Sequence, residues 1–190
     1  MIIRPVCPAD LGSVMSLINR EIRGGVNIFR LVPLDDIAAQ RWWNLHGDGR
    51  YQALVAERNG SNGGGATAAA RFAGWAALTP HSAYEGYDRT AELSVWVEPD
   101  VRRSGCGRAL VEALLASCPE RNIRTVISRI ESNNVPSLRL HAACGFQQVG
   151  LLRDVGEKFG QSLSVVFMQY HVPLPAAANP TAPQSSAPSR

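Results

Sequence analysis

The segment Arg102-Arg103-Ser104-Gly105-Cys106-Gly107-Arg108 puts three arginines and two glycines between an apolar strand ending at Val97 and an amphipathic helix. Such a junction binds anions. The first amides of a helix lack intrahelical partners, the helix dipole adds partial positive charge there, and glycine lets the main chain approach a pyrophosphate closely. Arg102, Arg103 and Arg108 would add full charges. A nucleotide P-loop needs Gly-Lys-Ser/Thr, which is missing, and the dinucleotide fingerprint fails because Leu110 stands where its third glycine belongs. ATP and NAD are disfavoured. Taken alone, the pattern also reads as a glycine turn before an ordinary helix.

The elements that would position this loop follow from periodicity. Met1 to Arg4 reads as a short strand, followed by a helix that Asp10 caps, with Leu11, Val14, Met15, Ile18 and Ile22 at helical spacing and Gly24-Gly25 as its stop. A second helix is expected over Leu34 to Leu45. Strands are expected over Tyr51 to Glu57, Ala68 to Leu78 and Arg89 to Val97, with Ser61 to Gly65 as a flexible hairpin loop. From Gly105 a helix runs to Pro119, Thr125 to Ile130 forms a β-branched strand, and Asn133-Asn134 introduces a helix that Gly145 closes. Gln147 to Val155 and Leu163 to Val172 complete the sheet as a hairpin. Residues 173 to 190 are Pro, Ala and Ser rich and read as a disordered tail.

With 190 residues, of which 45% are apolar, the chain holds one core, so residues 1 to 172 form one domain. A net charge of +3 with no dense basic block argues against nucleic acid. Cys7, Cys106, Cys118 and Cys144 have neither zinc-site pairing nor disulfide density, so they read as free thiols in a reducing cytoplasm, with no metal. No apolar run approaches the roughly 20 residues of a membrane span, and the amino terminus has no long apolar leader. A soluble, unprocessed cytoplasmic protein is expected.

Arg102-x-x-Gly105-x-Gly107 resembles the Arg/Gln-x-x-Gly-x-Gly/Ala loop with which GNAT acetyltransferases hold the pyrophosphate of acetyl-CoA. A second segment, Asn134-Val135-Pro136-Ser137-Leu138-Arg139-Leu140-His141 through Gly145-Phe146, is similar to that family's Asn-x-x-Ser-x-x-Leu-(Tyr/His)-x-x-x-Gly-Phe helix. The resemblance covers residues 1 to about 172 and is nearest the branch typified by phosphinothricin and methionine-sulfone acetyltransferases. It implies an α/β GNAT fold, a mixed and mostly antiparallel central sheet flanked by helices and splayed at an acetyl-CoA cleft near Val97. It also implies contacts to acetyl-CoA from Val95, Trp96, Val97, Arg102, Arg103, Ser104, Gly105, Cys106, Gly107, Arg108, Asn134 and Ser137, and a homodimer.

In such an enzyme a protonated amine must lose a proton before it attacks the thioester, and Glu92 is the candidate base. Glu92 shares one strand face with Ser94 and Trp96, opposite Leu93, Val95 and Val97. A solvated or ion-paired strand glutamate is the alternative. The resemblance supplies an oxyanion donor from the main chain at Val95 to Val97, worth about 3 kcal/mol. His141 has the pKa range to protonate the departing CoA thiolate or to act as a second base, or it is a helix histidine with a local partner. Asn134 either contacts the pantetheine arm or caps its helix, and the two roles are compatible. Cys106 reads as a small apolar filler, or as a thiol made acidic by the helix start. Trp42, Trp43, Trp75 and Trp96 read as packing residues.

Acceptor recognition is expected from Val26-Asn27-Ile28-Phe29-Arg30, which resembles the family's Val-Asn-Phe-Arg region, with Phe29 and Arg30 at the acceptor and Arg30 able to meet a carboxylate. The relatives' Lys-x-Gly-x-Trp-x-Asp pattern departs here to Lys158-Phe159-Gly160-Gln161-Ser162-Leu163-Ser164, which puts phosphinothricin-like acceptors in doubt. The expected activity is acetyl transfer from acetyl-CoA to the primary amine of a small molecule, an amino acid or analogue. Alternatives are acetylation of peptide or protein amines, and a silent acetyl-CoA-binding module.

Overall fold

The computed structural model describes residues 1–47, 49–60 and 68–173. The sequence expectations for the Ser61 to Gly65 loop and for the tail beyond residue 173 lie outside the described residues. Seven strands form one sheet in the order β1-β2-β3-β4-β5-β7-β6, with β1 Ile2–Pro5, β2 Ala53–Gly60, β3 Ala68–Pro80, β4 Thr90–Val97, β5 Thr125–Glu131, β6 Gln147–Lys158 and β7 Gln161–His171. The helices are α1 Leu11–Gly24, α2 Asp36–His46, α3 Cys106–Ser117 and α4 Val135–Ala143. Every strand pairing is antiparallel except β4 with β5.

Strand alternation sorts the apolar residues onto two faces. Leu54, Ala56, Ala76 and Leu78 turn to α3 and its Leu110, Val111 and Leu114, while Ala53, Val55, Trp75 and Ala77 turn to α1 and its Val14, Leu17, Ile18 and Ile22. Trp42, Trp43 and Trp96 join the second cluster, the packing role their sequence suggested. Each fully buried Leu, Ile or Val contributes about 1.5–3 kcal/mol, and these two layers hold the sheet between them.

Several boundaries differ from the sequence expectation for local reasons. Asp10 does not cap α1. It closes a 3-10 turn, Pro8–Asp10, and its carboxylate accepts the Cys7 amide (2.8 Å) and pairs with Arg4 (2.7 Å), so the cap acts one turn earlier. Helix α2 starts at Asp36 because the Asp35 side chain accepts the Ala38 amide at 2.8 Å. The last hairpin runs further than expected, to Lys158, because Phe159 (φ 53°) and Gly160 (φ 70°) close it as a two-residue turn with both residues at positive φ. At α4 the expectation holds: Asn134 Oδ1 accepts the Ser137 amide (3.2 Å), Pro136 sits in the first turn, and Gly145 (φ 89°) ends the helix.

The feature that matters for function is where the sheet opens. β4 and β5 pair only from Thr90 and Thr125 to Glu92 and Ile127, whereas β4 stays in register with β3 as far as Val97 opposite Gly74. Gly74 allows this approach, since a Cβ there would lie 2.5 Å from the Trp96 carbonyl oxygen. Beyond Glu92 the β5 side of β4 therefore loses its ladder, and main-chain groups of Leu93 to Val97 face a gap.

Candidate active site

The gap is the mouth of a cleft of about 450 Å³, walled by Leu93 to Val97 of β4, Ser128 to Glu131 of β5, the start of α3 and the inner side of α4. Gly105, at φ 87°, turns the chain into α3 and offers no side-chain cap, so the first-turn amides of Cys106, Gly107 and Arg108 remain for an anion. Gly107 keeps α3 close to its neighbours: a Cβ there would lie 3.1 Å from Leu140 Cδ2 and 3.5 Å from Val97 Cγ2. Even a methyl group would require the Leu140 side chain to give way slightly. Arg102 braces the loop, with Nη2 2.7 Å from Glu21 Oε1 and Nε donating to the Val97 carbonyl at 3.2 Å.

His141 is buried on the cleft side of α4. Nδ1 lies 2.8 Å from the Ser137 carbonyl, which can only accept, so Nδ1 carries the proton and Nε2 presents a bare lone pair. Among the described residues Nε2 is buried without a partner. Burial pushes the imidazole below its ordinary pKa, only partly offset by the Ser137 carbonyl, so the ring is neutral at neutral pH. Phe146 packs edge-on against it at 5.1 Å.

Glu92 projects at the point where the strands part, with 14% of its side chain exposed. Its Oε1 lies 3.0 Å from His81 Nδ1 and its Oε2 2.6 Å from Arg129 Nη2, which fixes the carboxylate from two sides. The two groups thus differ in kind: one bare imidazole nitrogen buried in the cleft wall, and one oriented carboxylate set behind the guanidinium of Arg129, which itself borders the cleft.

The model of the Acetyltransferase (GNAT) family matches residues 19–146. The chain belongs to the GNAT acetyltransferase family. A phosphinothricin N-acetyltransferase from Alcaligenes faecalis is 35% identical over 88% of this chain and 80% of its own. An L-methionine sulfoximine/L-methionine sulfone acetyltransferase from Pseudomonas aeruginosa is 31% identical over 90% of this chain and 94% of its own. Among solved structures, a GNAT superfamily phosphinothricin acetyltransferase from Sinorhizobium meliloti in complex with AcCoA superposes with a TM-score of 0.80 at 27% identity, covering 96% of this chain and 94% of its own.

Within this GNAT domain, Val95, Trp96, Val97, Arg102, Arg103, Gly105, Gly107, Arg108, Asn134, Ser137 and His141 border one cleft. Other residues singled out in the sequence lie elsewhere. Ser104 turns its hydroxyl onto the Val101 carbonyl (2.6 Å), and the Cys106 side chain is buried in the α3 core. Burial pushes the Cys106 thiol up, so the acidic-thiol alternative is replaced by the filler role. Glu92 reaches the cleft wall through Arg129. Phe29 packs its ring on Gly156, and Arg30 is exposed; neither borders the cleft.

Asn27, Glu21, Arg129 and Glu131 do border it and were missed. Only Asn27 had a signal, as part of the segment that carries Phe29. That segment is held by Lys158, whose buried ammonium donates to the Ile28 carbonyl at 2.7 Å, with burial pushing its pKa down.

Proposed function

We propose that the protein transfers the acetyl group of acetyl-CoA to the primary amine of a small molecule, an amino acid or an analogue of the phosphinothricin type, by direct attack in a ternary complex. The observation that carries this reading is one cleft joining an anion-binding helix start, an unladdered strand edge and the unpartnered His141 nitrogen, with Glu92 reaching its wall through Arg129. The α3 start and Arg102, Arg103 and Arg108 hold the pyrophosphate. Asn134 and Ser137 flank the pantetheine arm. Glu92, directly or through a water, takes the ammonium proton. The amine lone pair then forms the C–N bond, the oxyanion rests on a main-chain amide between Val95 and Val97, the nitrogen gives up its second excess proton to His141 Nε2, and the C–S bond breaks to release CoA thiolate.

His141 fits a base and not, in its resting tautomer, an acid, because Nε2 holds no proton to give. It can relay to the thiolate only a proton it has first received. The family relatives named above support the acceptor class, since their names give phosphinothricin and methionine sulfone or sulfoximine. A homodimer is part of the same reading. Edge strand β6 exposes Val149, Leu151, Leu152 and Val155, apolar surface suited to a second copy.

The Glu92–Arg129 ion pair also suits a silent acetyl-CoA-binding module, since a paired carboxylate is what such a module would keep. Calorimetric titration with acetyl-CoA, followed by CoA thiol release across amino acids, polyamines and peptides, separates the readings. Binding with turnover on amino acids supports the enzyme. Binding without turnover on any acceptor supports the silent module.

A further inference from the structure

Arg129 takes no part in the proton and acetyl transfers, yet it occupies the most consequential place in the cleft. On β5, Val126 and Ile130 are buried towards α3, and the Ser128 hydroxyl donates to the Leu93 carbonyl at 3.4 Å. Strand alternation therefore turns Ile127 and Arg129 to the opposite face, the one that carries Glu92. Arg129 reaches across the start of the splay to within 2.6 Å of Glu92 Oε2, while 59% of its side chain stays exposed.

A guanidinium offers five N–H donors in a planar fork, and with Nη2 2.6 Å from Glu92 Oε2 the exposed side chain still has donors to offer a ligand. Glu131, two residues on and on the same face, is occupied by the Asn133 amide (2.9 Å), the Asn133 side chain and Ser132. Glu21 is engaged with Arg102. At the point where β4 and β5 part, the charges offered to an incoming acceptor are therefore the Glu92 carboxylate, held by His81 on its other oxygen, and the exposed Arg129 guanidinium beside it.

This pattern selects. A monoamine or polyamine would bring its cation to Glu92 against the repulsion of Arg129, and a peptide N-terminus carries an amide where a free amino acid carries its carboxylate. A zwitterion with adjacent ammonium and carboxylate meets the pair head to tail. We propose that Arg129 is the residue that sets acceptor specificity in this chain, receiving the α-carboxylate of an amino-acid acceptor while Glu92 receives its ammonium. The assignment rests on the acetyltransferase reading above and adds the group that chooses the acceptor.

The test compares kcat/KM for each of a panel of L-amino acids with that for its carboxamide, in the wild type, Arg129→Gln and Arg129→Lys. In the wild type the acid should exceed the amide by about 10- to 100-fold, the value of a charge-assisted contact. In Arg129→Gln the ratio should fall towards one, chiefly through KM for the acid, and Arg129→Lys should keep part of it because the charge remains while the fork is lost. Equal turnover of acid and amide by the wild type, or an unchanged ratio in Arg129→Gln, overturns the assignment and leaves the acetyltransferase reading standing. Turnover of neither member by the wild type overturns both.

Discussion

Two histidines, His46 and His141, are buried. His46 donates from Nδ1 to the Tyr51 carbonyl (3.0 Å) beneath Trp42, and burial lowers its pKa, as it does that of His141. In the unfolded chain both rings return to an ordinary value near 6.5. Between the lowered folded values and about 6.5 the unfolded state binds more protons, so stability falls as pH drops below about 6.5 and is fully present above it. The melting temperature should therefore be level from about pH 7.5 to about pH 6.5 and decline from there to about pH 5, and His46→Gln should flatten that decline. A melting temperature independent of pH over that range would contradict the burial assigned to these rings. At the chemical centre, Glu92→Gln keeps the shape of the side chain and removes its proton affinity, so kcat should fall about 100- to 10,000-fold with acetyl-CoA binding retained.

At the scale of elements, the loop that enters α3 depends on one left-handed residue. Gly105→Ala puts a Cβ on a backbone at φ 87°. The strain costs about 1–2 kcal/mol. It also tilts the first-turn amides that face the cleft. Denaturant unfolding should show that loss, and calorimetry should show weaker acetyl-CoA binding; an unchanged affinity would remove the α3 amides from the phosphate site. This loop and α4 were legible in the sequence because their signals are local: glycines at a strand-to-helix junction, Asn134 before Pro136, Gly145 after the last turn. What the sequence hid is long-range. Asp10 looks like a cap for α1 until Arg4 and Cys7 claim its carboxylate, and Phe159 gives no sign that it will accept positive φ in a tight turn. The pairing of Glu92 with His81 and Arg129 depends on how β4 and β5 part, and no spacing in the chain announces it. Phe29 and Arg30 were placed by likeness of segment, yet Lys158 fixes that segment so that Asn27 borders the cleft instead.

Across the whole molecule, the sheet is covered on both faces near β1 to β4, while its β6 edge exposes apolar side chains. Among the described residues no helix is long and apolar enough to cross a membrane. A homodimer formed on this edge should sediment at twice the chain mass, and Leu152→Lys should shift it towards monomer without unfolding it; a monomeric wild type at micromolar concentration would contradict the proposed interface. The proposed function has one cleft both bind acetyl-CoA and deliver its acetyl group to an amine. It is tested most directly by following CoA thiol release from acetyl-CoA with an amino-acid panel, in wild type and Glu92→Gln proteins whose acetyl-CoA binding has been verified by calorimetry. The expected result is acceptor-dependent release by the wild type and a loss of about 100- to 10,000-fold in Glu92→Gln with binding intact. Thiol release that is equal in the two proteins, or absent with every acceptor despite binding, would contradict it.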